Sequence, residues 1–227
     1  MNLFKKKLFL TGILFLASFV IWTLLLQIVD VQYAGVNQTP IGFCSLNTWF
    51  HKFTGVHLIL YTITDYLGLI PIFVCIFFGA MGLLQLVTRK SLGNVDFDLR
   101  ILGIYYGIVI ACYLIFEKIP INYRPIFIQG RMEVSYPSST TLLVLCVMPT
   151  LSEQIKRRMK NHLLQKLFQI VIFCFCIFMV LSRLFSGVHW LTDIIGAILF
   201  SVGLFCIYQS IIFKMIQKHG TSHHESD

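Results

Sequence analysis

The sequence predicts an all-α polytopic membrane protein, with six transmembrane helices in one bundle and both the N- and C-termini in the cytoplasm. Three observations carry this. Hydrophobic residues fill 57% of the 227 positions and charged residues only 12%, about half the charged share of a soluble domain. Apolar runs of membrane-crossing length recur along the chain, separated by polar inserts. Basic residues gather in alternate inserts, at Lys5-Lys6-Lys7, at Arg89, Lys90 and Arg100, at Lys156-Arg157-Arg158 with Lys160 and Lys166, and at Lys214 and Lys218. That alternation is the distribution that keeps loops on the cytoplasmic side.

The elements follow in order. Lys5-Lys6-Lys7 precede an apolar run from Leu8 to Val29. It is too long for the hydrophobic part of a signal peptide and no clean cleavage site follows, so it reads as a retained first helix. Asp30 to Thr64 is polar and aromatic. Within it, Asn47 to Leu60 reads as a short interfacial helix with Trp49 and Phe53 at headgroup level. His51 and His57 read as interfacial side chains rather than metal ligands, since no Cys/His cluster accompanies them. Asp65 precedes the second helix, Tyr66 to Val87, as an N-terminal carboxylate favoured by the helix dipole. A charged loop, Thr88 to Arg100, leads to the third helix, Ile101 to Phe116. Glu117 to Ser139 is a second polar insert, and Thr140 to Leu151 opens a short fourth helix. After the loop Ser152 to Lys166 come the fifth helix, Leu167 to Leu181, a third insert, and the sixth helix, Ile194 to Phe213. The tail ends in His223-His224-Glu225-Ser226-Asp227, to which no role is assigned.

No linker, repeat or low-complexity stretch divides the chain, so residues 1–227 form one membrane-embedded domain with its core at about 65–213. The formal net charge of +8 lies in the inter-helix loops rather than in a basic stripe interleaved with aromatics, which excludes nucleic acid as a partner. Six of the seven cysteines lie in apolar runs, where a thiol behaves as a small hydrophobe. Their spacing supports neither a disulfide framework nor a metal site.

Counted from a cytoplasmic N-terminus, the outward inserts hold few basic residues: Lys52, Lys118, Arg124, Arg131 and Arg183. Nearly all of these flank helices four to six. The third insert runs Ser182-Arg183-Leu184-Phe185-Ser186-Gly187-Val188-His189-Trp190-Leu191-Thr192-Asp193. Ionisable residues at a membrane-helix boundary are expensive and read as functional. If a helix has begun by His189, Asp193 lies one turn along the same face, and a carboxylate beside an imidazole orients it as a nucleophile or base. Arg183 adds a forked, permanent positive charge suited to phosphate. An ion pair that staples a loop to a helix is the other reading of the same residues. Two distant loops with arginines, a lysine, a helix N-terminus and a His/Asp pair fit a phosphate-bearing substrate.

Three stretches carry a family resemblance: Lys118-Ile119-Pro120-Ile121-Asn122-Tyr123-Arg124-Pro125, then Tyr136-Pro137-Ser138-Ser139-Thr140-Thr141, then Ser182-Arg183 with His189 and Asp193. Together they resemble the type 2 phosphatidic acid phosphatase family, whose pattern is K-x6-R-P, P-S-G-H and S-R-x5-H-x3-D. The third part matches at every fixed position, the first has one residue fewer between lysine and arginine, and the second keeps only Pro-Ser. The resemblance implies that His189 attacks phosphorus to form a phosphohistidine, oriented by Asp193. It also implies that Lys118, Arg124, Arg183, Ser138 and Ser139 hold the phosphoryl oxygens without any metal or cofactor. The implied substrate is a lipid phosphate or diphosphate, reached from the outer face of the cytoplasmic membrane.

Where the family has Gly-His, this chain has Ser139-Thr140. The histidine there protonates the leaving oxygen, a role worth about 10²–10⁴ in rate, and a threonine hydroxyl is too weak an acid to fill it. Either Glu133, Tyr136 or His57 substitutes, or the substrate has a leaving group that departs unprotonated. A phosphate monoester leaving from a polyprenyl diphosphate does so far more readily than an alkoxide, which points to undecaprenyl diphosphate. The shortened first part leaves Lys118 two readings, a phosphate ligand or an interfacial lysine paired with Glu117. A binding protein without turnover, or a phosphotransferase, is the alternative function. A transporter is disfavoured, because no pair of interrupted helices occurs in matching halves.

Overall fold

The apolar runs form helices whose exposed faces are themselves apolar, as a bilayer solvent allows and water does not. The structure, a computed structural model, describes residues 3–222 and the side chains of residues 3–214. Its eight α-helices are α1 (Leu3–Leu26), α2 (Cys44–Thr54), α3 (Leu58–Leu67), α4 (Leu69–Arg89), α5 (Phe97–Lys118), α6 (Ser139–Arg158), α7 (His162–Phe185) and α8 (Leu191–Ser222). The described residues contain no strand, only three isolated antiparallel bridges in the inserts. Among the described residues, five segments are long and apolar enough to cross a membrane: Leu3–Leu26, Leu58–Arg89, Phe97–Lys118, His162–Phe185 and Leu191–Lys214. The protein is a multi-pass membrane protein. The tail histidines His223 and His224 lie outside the described residues.

α6 does not meet that apolar criterion, yet it is the central helix, packed against α4, α5, α7 and α8. Its core positions Leu142, Val144, Cys146, Val147 and Thr150 are at or near zero exposure. A helix surrounded by protein has no lipid face to fill, so it tolerates Glu153 and Lys156-Arg157-Arg158 in its second half. It also runs further than the short Thr140–Leu151 segment its apolar part suggests, continuing through Pro149. Tyr105 and Tyr106 of α5 hold it, donating to Cys146 O at 3.1 Å and pairing with Thr150 Oγ1 at 2.7 Å.

α1 lies along α8, in contact through glycines. A Cβ at Gly12 would meet Ile207 at 2.7 Å, and one at Gly203 would meet Leu16 at 2.8 Å. Charge sorts to the two ends of the bundle. Arg89 pairs with Asp96 at 2.7 Å and Arg158 with Asp98 at 2.8 Å at one end. The three polar inserts gather at the other.

Two expectations about boundaries are corrected. Helix begins at Leu58, not at Tyr66, so Asp65 sits near the C-terminal end of α3 and is no helix-dipole carboxylate. Gly68 ends α3 where it approaches α6, since a Cβ there would lie 3.0 Å from Thr140 Cγ2. The interfacial helix is also shorter than Asn47–Leu60. α2 stops at Thr54 because Gly55 takes φ +68°, a conformation that side chains disfavour.

Candidate functional site

The last turn of α7 supplies Arg183, and the first turn of α8 supplies Asp193. Between them, Ser186 to Trp190 form a tight loop that turns at Gly187, with φ +70°. His189 therefore stands in the loop, two residues before α8, and the helical i, i+4 geometry expected for it is replaced by a loop contact. Its Nδ1 lies 3.5 Å from Asp193 Oδ2. Asp193 is fixed independently of the imidazole. Oδ2 accepts from the Trp190 N–H at 2.9 Å, and Oδ1 accepts from Asn122 Nδ2 at 3.3 Å.

Arg183 is 1% exposed. Nη2 donates to Thr140 Oγ1 at 2.7 Å and lies 3.7 Å from Asp65 Oδ1, while Nη1 donates to Thr64 Oγ1 at 3.4 Å. Its guanidinium stands 4.9 Å from the centre of the Tyr61 ring, and that of Arg124 stands 5.5 Å from the same ring. One aromatic face thus gathers two cations from loops far apart in sequence, in the manner of a cation–π platform. Arg124 Nε is 3.1 Å from Glu133 Oε2. Arg124 Nη1 and Arg183 Nε are buried with no hydrogen-bond partner among the described residues. Buried unpaired donors are rare and call for an explanation, and a site for an anion supplies one.

His189 is 3% exposed, and neither ring nitrogen has a close hydrogen-bond partner among the described residues. Burial, and then the charges of Arg124 and Arg183, hold the imidazole well below its usual pKa, against a pull from the Ser135 backbone. The ring is consequently neutral, with a lone pair to offer.

The remaining expected residues divide. Ser138 occupies the position before the first turn of α6, but its polar groups are already engaged: its N–H donates to Asp193 O at 3.2 Å and its Oγ to Thr141 Oγ1 at 3.0 Å. No side chain caps α6, and the N–H groups of Ser139, Thr140 and Thr141 meet no backbone acceptor among the described residues. They form a helix N-terminus of the kind that binds phosphate. The Ser139 side chain borders a small cavity with Glu117 and Tyr113. Lys118, the last residue of α5, is exposed and makes no ion pair with Glu117 or any other described residue.

Among the three groups considered as a substitute acid, Tyr136 points away, its hydroxyl 2.7 Å from Thr23 Oγ1 and its ring stacked on Phe19. Burial pushes its pKa up, which makes it a weaker acid. His57 is exposed, with Nε2 donating to Thr54 O at 2.9 Å. Glu133 is occupied with Arg124.

The contribution of α3 was not anticipated. Tyr61, Thr64 and Asp65 stand at i, i+3 and i+4, one face of a helix. A polar stripe in an otherwise apolar stretch was the available signal. Asn122 was likewise missed as a partner of Asp193.

The fold is similar to that of a transmembrane PAP2-type phosphatidylglycerolphosphate phosphatase from Bacillus subtilis, with a TM-score of 0.63 and 16% identity, covering 90% of this chain and 96% of that one. No curated protein matches the chain. Residues 112–217 match the PAP2 superfamily. That segment, just under half of the chain, contains Lys118, Arg124, Ser138, Arg183, His189 and Asp193.

Proposed function

We propose that the protein is an integral-membrane lipid phosphatase that works through a phosphohistidine on His189. The observation that carries this is a buried, neutral imidazole backed by Asp193, with two guanidinium groups gathered on one tyrosine ring beside it. With Nδ1 turned to Asp193, Nε2 carries the attacking lone pair. It forms a bond to phosphorus while the bond to the leaving oxygen breaks, its electron pair departing with the leaving group. Water then cleaves the phosphorus–nitrogen bond, releasing inorganic phosphate and returning the ring to its neutral form. Arg124, Arg183 and the N–H groups that open α6 hold the phosphoryl oxygens, where charge neutralisation and positioning dominate the barrier. Lys118 is free to join them from the rim.

In this reading α6 joins the five apolar spans to make six crossings, both termini are cytoplasmic and the site faces outward. The basic clusters at the opposite end of the bundle support that orientation. The substrate is a polyprenyl diphosphate such as undecaprenyl diphosphate. Thr140 occupies the acid position and its hydroxyl accepts from Arg183, so the site favours a leaving group that departs without a proton. Thr140→His is expected to raise the ratio of phosphate release from lipid monophosphates over diphosphates by about tenfold or more. An unchanged ratio in a panel of purified lipids removes the basis for the diphosphate preference.

The state of His189 sets the pH profile. Because its pKa is lowered from 6.5, the acid limb of kcat/KM falls below pH 6.5, where a solvated imidazole would already be protonated. Arg124→Gln removes a positive charge that opposes the imidazolium, so the limb moves to higher pH. A limb that stays in place, or moves down, shows that this charge does not act on the nucleophile. The unfolded chain binds the same proton more tightly, so this residue's contribution to stability declines as pH falls below about 6.5.

A further inference from the structure

α2 is two-faced. On one side Trp49 and Phe53 are 62% and 71% exposed, their rings stacked at 6.2 Å. Phe50 joins them at 6.5 Å from Phe53 and lies 6.4 Å from Phe185, an exposed aromatic on the membrane-spanning α7. This apolar face is therefore continuous with the lipid-facing surface of the bundle, at the end where the inserts gather. A Trp- and Phe-rich helix face at that level fits the boundary between headgroups and acyl chains.

The other side of α2 grips the loop that carries His189. Asn47 has no exposed surface. Its Nδ2 donates to Gly42 O at 2.8 Å and Thr192 Oγ1 at 3.0 Å, and its Oδ1 accepts from the Thr192 N–H at 3.3 Å. His51 stands one turn on, with Nε2 donating to Gly187 O at 3.0 Å and its ring 5.5 Å from that of Trp190. Just beyond the helix, the His57 N–H donates to Ser186 O at 2.9 Å. The two glycines meet so closely that a Cβ on Gly187 would lie 2.0 Å from Gly55 O. His189 is thus flanked on both sides by residues anchored to α2 or to the turn behind it.

We propose that the aromatic face of α2 docks on the lipid bilayer surface, and that this docking fixes the nucleophile's loop through Asn47 and His51, which act as positioning residues. Membrane contact then tunes the site without touching substrate. The link to turnover rests on the proposed phosphatase activity, whereas the docking and the loop's rigidity do not.

The test uses the full chain in phosphatidylcholine vesicles, with amide hydrogen exchange at residues 186–190, quenching of Trp49 by brominated phosphatidylcholine, and steady-state phosphate release. In the Trp49→Ser/Phe53→Ser variant, exchange in the loop is expected to accelerate about tenfold or more, with kcat falling about tenfold and KM within twofold. His51→Ala is expected to reproduce the exchange and kcat effects while Trp49 remains quenched, and His51→Gln, which keeps a donor for Gly187 O, to restore them. Unchanged exchange in both variants overturns the proposal. So does an unquenched Trp49 in a protein that cross-links as a dimer through α2. A parent protein that releases no phosphate refutes the phosphatase reading alone, since exchange and quenching still decide the coupling.

Discussion

His189→Ala is expected to lower phosphate release by about 10⁴-fold or more, because it removes the atom that bonds phosphorus and no neighbouring group can take its place. The other ionisable side chains at the site are committed: Asp193 to the Trp190 N–H and Asn122, Glu133 to Arg124, and Asp65 beside Arg183. The alanine also exchanges a buried ring for a small void, so His189→Gln should be measured beside it, with circular dichroism and monodispersity as controls. Acid-labile phosphate trapped on the parent during turnover, and missing from both variants, would establish the covalent intermediate. A variant with a tenth of parental activity would show that the imidazole is not the nucleophile. A parent that binds lipid phosphate without turnover would instead make this a binding relative.

Arg183→Lys is expected to cost about 10²–10³ in kcat/KM despite conserving charge. The guanidinium reaches Thr64 and Thr140 with separate nitrogens and lies over the Tyr61 ring. An ammonium group has neither the fork nor the flat face, and the two threonine hydroxyls would lose their donor. Because Arg183 is almost fully enclosed, the variant's thermal midpoint in detergent must be measured alongside. Activity within threefold of the parent would assign Arg183 to holding α3 against α7 and leave the phosphate to Arg124.

The third polar insert was legible because its chemistry is compact. Arg183, His189 and Asp193 lie within eleven positions of one another, and charge at a membrane boundary is conspicuous. What the sequence concealed came from elements whose limits are blurred by uniform hydropathy. Leu58 to Arg89 is apolar on average, so its hydropathy did not mark the break at Gly68, and its few polar residues did not by themselves show that Asp65 faces Arg183. Pairing between inserts was equally hidden, since Asn122 meets Asp193 across 71 positions. α6 looked truncated because composition reports exposure to lipid, and this helix has little. Ser138 looked like a phosphate ligand by position alone, and its bonds to Asp193 and Thr141 appear only once the loops are folded together.

The pairing of α1 with α8 bears on how the molecule is made. Trp22 Nε1 donates to Thr192 O across 170 positions, and Thr23 meets Tyr136 across 113. A ribosome delivers the first helix long before its mate exists, so α1 waits in the bilayer as an unclaimed segment while the intervening helices assemble. Long-range closure of this sort is slow. Here it also waits for α8, which supplies both the mate for α1 and the carboxylate behind the imidazole. A nascent chain therefore cannot bring Asp193 behind His189 until α8 has been made.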